Sequence, residues 1–347
     1  MRLPTSSPIG HSCSSGCLHL AAARQPRAQG RHQRPLVLGG LRVAASTRAK
    51  RSADQGILWP MLPLHTISPK IWFITGCSSG LGRELAIAAA QHDDTVIATS
   101  RDVSKLADLV PLGVIPKTLD IRADDTEIQA VIDDVGASIG PIDILINNGG
   151  ISSRGHDAGI HATFDVNVFS QIRLLRAILP SMRARRAGVI ANLGSIAGRN
   201  GTPAARFQCA SKAAIALYTE SLRHEIAHLG IDVTCIEPGY FRTNFLTTSG
   251  GHKITAQKRI ADLDAGTRGV CEALAAYSLP QPGDPVKGAR VIVELLTRSG
   301  RGEGRRLPGR LALGRDAIVK IGESLKREGE MLDSWRDIIT STDCDDV

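Results

Sequence analysis

Residues 71–82, IWFITGCSSGLG, carry an apolar run straight into a glycine-rich turn, and ELAIAAAQ follows with the apolar spacing of a helix. A strand that turns through closely spaced glycines into a helix constrains the fold strongly, because the helix must cross the sheet and deliver a strand parallel to the first. The chain then repeats that step. TVIATS, VIPKTLDI, IDILINN, GVIANLGS and IDVTCIEPG read as short strands, and KLADLV, TEIQAVIDDVGAS, FDVNVFSQIRLLRAILPSMRARR and AIALYTESLRHEIAHLG read as the helices between them. The alternation predicts an α/β fold: one Rossmann-like doubly wound parallel sheet, covered by helices on both faces, from about Lys70 to the C-terminus. Beyond Thr247 come polar stretches, a helix over GDPVKGARVIVELL, a basic turn GRGEGRRLPGR and an amphipathic helix over DAIVKIGESLKREGEMLDSW. Residues 244–285 are expected to cover a substrate, and Ile318, Ile321 and Leu325 to form a packing face.

The net charge of +8 suggests an anionic partner until its distribution is read. Residues 1–69 hold Arg2, Arg24, Arg27, Arg31, Arg34, Arg42, Arg48, Lys50 and Arg51 with Asp54 as the only acid, so the remaining chain is nearly neutral. With aromatics at 3% and no nucleic-acid motif, a nucleic-acid partner is not expected. Rich in Arg, Ser, Gly and Pro and without periodicity, the segment reads as a disordered or targeting-like basic extension. A disordered tail, a mitochondrial presequence and translation starting at Met61 are the three readings, giving a cytoplasmic location with a mitochondrial one as the alternative. Seven cysteines, an odd number without paired zinc spacing, suit a reducing compartment. No apolar run is long enough to predict a membrane span.

The turn itself, Gly76 through Ser78, Ser79, Gly80 and Leu81 to Gly82, has the form that lets backbone approach a pyrophosphate at a helix N-terminus. Its Gly-x3-Gly-x-Gly spacing resembles that of the short-chain dehydrogenase/reductase family. Further matches extend the resemblance over roughly residues 70 to 245. Asp120, followed by Ile121, ends the third strand where the family sets an acid against adenine, and Asn147-Asn148-Gly149-Gly150 matches Asn-Asn-Ala-Gly with glycine in place of alanine. Asn167 matches the catalytic asparagine, Ser195 the serine and Lys212 the lysine; Pro238, Gly239, Phe241 and Thr243 match the loop over the nicotinamide. At the end of the second strand, Arg101 suits a 2′-phosphate and predicts NADP, while Asp102 leaves NAD possible. Segment 244–285 and the C-terminal extension resemble fungal and bacterial members associated with secondary metabolism.

The family's proton-transferring tyrosine is absent. Ser195 to Gln208 is thirteen residues and Gln208 to Lys212 four, the family register, so Gln208 stands where the tyrosine belongs. An amide donates a hydrogen bond but gives up no proton near neutral pH. Tyr218 is expected to pack on a helix face, and Tyr240 to line the pocket or pack. His224 and His228 spell a His-Glu-x-x-His pattern, but a metal is not expected in a chain that another fold explains. Two readings stand. The first is an NADP-dependent oxidoreductase interconverting an alcohol and a carbonyl on a small hydrophobic molecule. The second is a cofactor-binding regulator or scaffold with weak or no turnover. The resemblance also implies a homodimer or homotetramer.

Overall fold

Period-two alternation of large apolar side chains builds the sheet. The computed structural model describes residues 69–154, 159–247, 253–255, 260–277 and 280–344, all within one unit spanning His65–Val347. The expectation for residues 1–68 lies outside the described residues. In β1 (Ile71–Ile74), Trp72 and Ile74 enter one core and Phe73 the other, and all three are fully buried. Both faces of the sheet are thus apolar, as a parallel sheet covered on both sides requires. Burying each such side chain contributes roughly 1.5–3 kcal/mol.

The strands β1, β2 (Thr95–Ser100), β3 (Ile115–Thr118), β4 (Ile144–Asn147), β6 (Gly188–Leu193), β7 (Ile231–Pro238) and β9 (Arg310–Leu313) form a seven-stranded parallel sheet in the order β3-β2-β1-β4-β6-β7-β9. Helices α1 (Gly80–Ala90) and α7 (Pro285–Thr297) pack on the face of Trp72. Helices α2 (Asp125–Ser138), α4 (Ser170–Arg185) and α5 (Arg206–Ile226) cover the face of Phe73. Their ends are set locally. Asp124 caps α2 by accepting from the backbone N–H groups of Thr126 and Glu127, and Asp284 caps α7 ahead of Pro285. A small parallel pair, β5 (Ser152–Arg154) with β8 (Lys253–Thr255), stands apart, and α3 (Ile160–Phe164) leads toward α4.

The sequence-based outline needs four corrections. KLADLV, read as a short helix, sits in a longer one, the 3-10 helix Val103–Leu112. The helix predicted over FDVNVFSQIRLLRAILPSMRARR is interrupted by a π turn, Asp165–Phe169, that carries Asn167. The basic turn leads directly into β9, whose Arg310–Leu313 complete the sheet, and the polar region contains α6 (Ala261–Ala276). Finally, α5 ends at Ile226 and His228 lies in the 3-10 turn Ala227–Leu229, so the two histidines do not share one continuous α-helix. The C-terminal helix is found, as α8 (Arg315–Ser334), followed by α9 (Arg336–Thr340).

Candidate active site

At the carboxyl ends of β1, β4, β6 and β7 lies a cavity of about 710 Å³, where the order of the parallel strands reverses. Its floor is the turn between β1 and α1. Gly76 and Gly80 hold φ of +72° and +60°, a backbone that L side chains rarely adopt. Gly82 is excluded from change by proximity, because a Cβ there would lie 2.2 Å from Asn148 Nδ2 and 2.5 Å from the Gly76 carbonyl oxygen. Asn148 fills that space and donates to the carbonyls of Thr75 (2.9 Å) and Gly76 (3.2 Å). Thr75 answers by accepting from the backbone N–H groups of Asn148 and Gly149, each at 3.0 Å. The cradle fits a nucleotide pyrophosphate, since it presents glycine backbone and the N-terminus of an 11-residue helix to the cavity, with the Thr243 side chain standing against Gly80. Gly82→Ala is expected to cost about 1–3 kcal/mol through overpacking, read by thermal denaturation, and to weaken nucleotide binding.

The catalytic candidates converge on one wall. Ser195, at the end of β6, caps the short 3-10 turn Ile196–Gly198 by accepting from Ala197 N–H at 3.1 Å, which leaves its own proton to donate into the cavity. Gly198 lets this turn rest on α5, because a Cβ would approach the Lys212 backbone to 2.8 Å. Behind the turn, the buried Glu237 carboxylate pairs with both Arg199 and Arg310, tying the serine loop to β7 and β9.

One helical turn apart on α5, Gln208 and Lys212 both line the cavity. Gln208 Oε1 accepts from Asn167 Nδ2 at 3.2 Å, which engages the amide oxygen and leaves the Nε2 donor as the group the amide can offer to a ligand. Lys212 Nζ donates to the Leu193 carbonyl at 2.6 Å, and burial pushes its pKa down to about 8. Asn167 is wholly buried and does not reach the cavity. Its Oδ1 accepts from Ile151 N–H (2.9 Å), while its Nδ2 faces Ile151 O (3.0 Å), Ser211 Oγ (3.1 Å) and Gln208. It is a positioning residue that orients the Gln208 amide.

Among the residues expected to touch the cofactor, Gly76, Ser79, Gly80, Leu81, Asn148, Gly149, Lys212, Pro238, Gly239, Phe241 and Thr243 line the cavity. Asn147 departs from its expected place: fully buried within the sheet, it donates to Asn192 Oδ1 at 2.9 Å, and Asn192 continues to Thr219. That chain ties β4 to β6 and α5, a structural role. Ile121 contacts the site indirectly, its Cδ1 standing 2.7 Å from where a Gly149 Cβ would lie. Ser78, Arg101 and Asp120 are outside the cavity wall. Asp120 is held by Arg122, whose guanidinium and N–H reach its carboxylate and lower its pKa. Asp102 is similarly engaged, accepting from Ser104 N–H and Oγ at 3.1 and 2.6 Å, whereas exposed Arg101 has no hydrogen-bond partner among the described residues.

The far end of the cavity was not foreseen in detail. Val270, Ala273, Leu274 and Tyr277 of α6 form an apolar wall, and Tyr277 meets Tyr240 edge to face with ring centroids 5.1 Å apart. Tyr240 therefore both lines the cavity and packs. From the opposite side α8 contributes Lys320, Glu323 and Arg327, and Asp316 accepts from Tyr240 N–H at 2.7 Å, fixing the loop after β7. The polar spacing of those α8 residues carries no signal that separates a cavity rim from a solvated face. Tyr218, half-buried, packs with the core on the α5 side of the sheet.

Residues 70–253 match the short chain dehydrogenase family. Oxidoreductase BOA17 of Botryotinia fuckeliana is 31% identical over 278 residues, 78% of this chain and 97% of that one. Ketoacyl reductase HetN of a Nostoc species is 33% identical over 195 residues, 53% of this chain and 68% of that one. Among solved structures, a short-chain dehydrogenase from Streptomyces avermitilis has a TM-score of 0.71 at 35% identity, covering 80% of this chain and all of that one. A serine dehydrogenase complexed with NADP+ has a TM-score of 0.57 at 26% identity, covering 70% and 94%. This chain belongs to the short-chain dehydrogenase/reductase family, a family of oxidoreductases acting on alcohols and carbonyls.

Proposed function

We propose that this short-chain dehydrogenase/reductase uses NADP to interconvert an alcohol and a carbonyl on a small apolar molecule, slowly, with Gln208 and Ser195 holding the oxygen and Lys212 supplying the proton. The observation that carries this reading is the convergence of Ser195, Gln208 and Lys212 on one cavity wall, beside a glycine cradle and opposite an apolar wall. NADPH, when bound, supplies the hydride. The protein's own groups do the rest. Gly76, Ser79, Gly80 and Leu81 hold the pyrophosphate at the start of α1. Ser195 Oγ and Gln208 Nε2 donate to the substrate oxygen and stabilise the negative charge that develops there. The Lys212 ammonium, at a pKa of about 8, is poised to release a proton toward that oxygen through a bridging water.

The choice of NADP rests on Arg101, whose guanidinium has no hydrogen-bond partner among the described residues, beside an Asp102 already committed to Ser104. A carboxylate tied into a cap offers little to ribose hydroxyls, and a free guanidinium suits a phosphate. The solved serine dehydrogenase binds the same nucleotide. Arg101→Ala is expected to weaken NADPH binding by roughly ten- to a hundredfold, the loss of a charge-assisted contact, and to leave NADH nearly unchanged. Fluorescence titration with both nucleotides checks this, and equal losses for the two would reject the assignment.

Gln208 also favours a second reading, a cofactor-binding regulator with no turnover. Titrating NADPH and assaying its oxidation against ketones and aldehydes separates the two: binding without turnover of any carbonyl supports the regulator.

A further inference from the structure

Helix α8 has three faces. Ala317 and Ser324 are buried, with Ser324 Oγ donating to the Arg199 carbonyl at 3.1 Å, and Lys320, Glu323 and Arg327 face the cavity. The third face points to solvent. Ile318, Gly322, Leu325, Gly329 and Leu332 recur there at alternating spacings of four and three, the period of one helix stripe. Ile318 is 71% exposed, Leu325 55% and Leu332 52%, and Cβ atoms added at Gly322 or Gly329 would meet nothing within 4 Å. An apolar ridge with glycines open between its large residues is shaped to receive another helix closely.

The charges along α8 identify that helix. Its first part carries Arg315, Lys320, Lys326 and Arg327 against Asp316 and Glu323. From Glu328 to the end of the helix at Ser334 the balance reverses, with Glu328, Glu330 and Asp333 and no base. This order is the opposite of what a helix macrodipole favours, since acids are stabilised at the N-terminus and bases at the C-terminus. An antiparallel second copy offsets that cost, because it sets each basic half beside the other copy's acidic half. The three large residues of the stripe are symmetric about its centre, Ile318 and Leu332 lying seven residues either side of Leu325. Acidic residues outnumber basic ones over residues 315–337, which disfavours an anionic lipid surface as the cover.

We propose that α8 pairs antiparallel with α8 of a second copy, Leu325 lying near the two-fold axis and Ile318 packing against Leu332 of the other chain. The pairing uses a face separate from the cavity rim, so the site stays open. A helix of this length spans about 30 Å, which offers less than the roughly 800 Å² per partner of a standard interface, so the association is concentration-dependent.

Sedimentation equilibrium of the full chain over a concentration series tests the contact. Leu325→Glu, at an exposed position that folding does not need, is expected to raise the dissociation constant at least tenfold, or to halve the mass of a larger assembly. Orientation is read by oxidising a mixture of Ile318→Cys and Leu332→Cys chains, with the parent chain as the background for Cys271 and Cys344. Cross-links joining the two variants, in excess of those in either alone, support the proposal. A parent chain that is monomeric throughout, a mass indifferent to Leu325→Glu, or cross-links only between identical variants would each overturn it.

Discussion

Gln208→Tyr is expected to raise the rate of NADPH oxidation against a ketone and aldehyde panel by on the order of 10²- to 10⁴-fold, the usual worth of a positioned general acid. Three features make the substitution fit. Gln208 is on the cavity wall, so a ring has somewhere to go, and it stands one helical turn from Lys212, whose positive charge lowers a neighbouring phenol pKa. Nor does its removal strand a buried donor, because Asn167 Nδ2 has two other acceptors, Ile151 O and Ser211 Oγ, for its two hydrogens. Stopped-flow or steady-state absorbance of NADPH gives the rate, and parallel titration gives the affinity. If the variant binds NADPH as the parent does and turns over no faster, proton supply does not limit the reaction and the role given to Gln208 fails.

What the sequence made legible follows from how local each signal is. The turn at Gly76–Gly82 was readable because positive φ and close packing leave glycine as the residue that fits, and the register from Ser195 to Lys212 because one helix fixes it. The seventh strand was hidden. Arg310–Leu313 is short and follows a glycine- and arginine-rich turn, and only its pairing with β7 and the Arg310–Glu237 contact reveal it as part of the sheet. Asn147 was misplaced for a related reason. Neighbouring asparagines at a strand end point to opposite faces, so Asn148 reaches the turn while Asn147 enters the core and joins Asn192, a residue distant in sequence. The π turn that swings Asn167 beneath Gln208 is likewise invisible in a run of helix-like spacing. The α8 contribution to the cavity depends on tertiary contacts to Arg199 and Tyr240 that no local pattern encodes.

Lys212→Met is expected to separate the catalytic and structural costs of the buried lysine. Turnover should fall about 10³-fold, as for loss of a proton-transfer group, while the nucleotide-free protein becomes more stable below pH 8. The sign follows from the pKa. Burial lowers Lys212 from 10.5 to about 8, so between those values the unfolded chain binds the proton that the folded chain has released, and the contribution of this group to stability rises with pH. Below pH 8 both states are charged and the folded one bears the full desolvation penalty, about 3 kcal/mol for the shift. Methionine removes that penalty but leaves Leu193 O without its donor, a loss of about 1–3 kcal/mol, so the net gain below pH 8 is small while the rise above it disappears. Denaturant melts from pH 7 to 10 read this directly. The same titration governs catalysis in the parent chain: carbonyl reduction, which draws on the ammonium, should decline as pH rises through about 8, and alcohol oxidation should increase over the same range. Burial raises Cys77 and Cys235 from 9 to about 12 and costs stability over the same range in both chains, so the parent-minus-variant difference is the readout: a difference that stays constant between pH 8 and 10 would mean that Lys212 keeps its proton there, and Lys212 would then not be the group that delivers it.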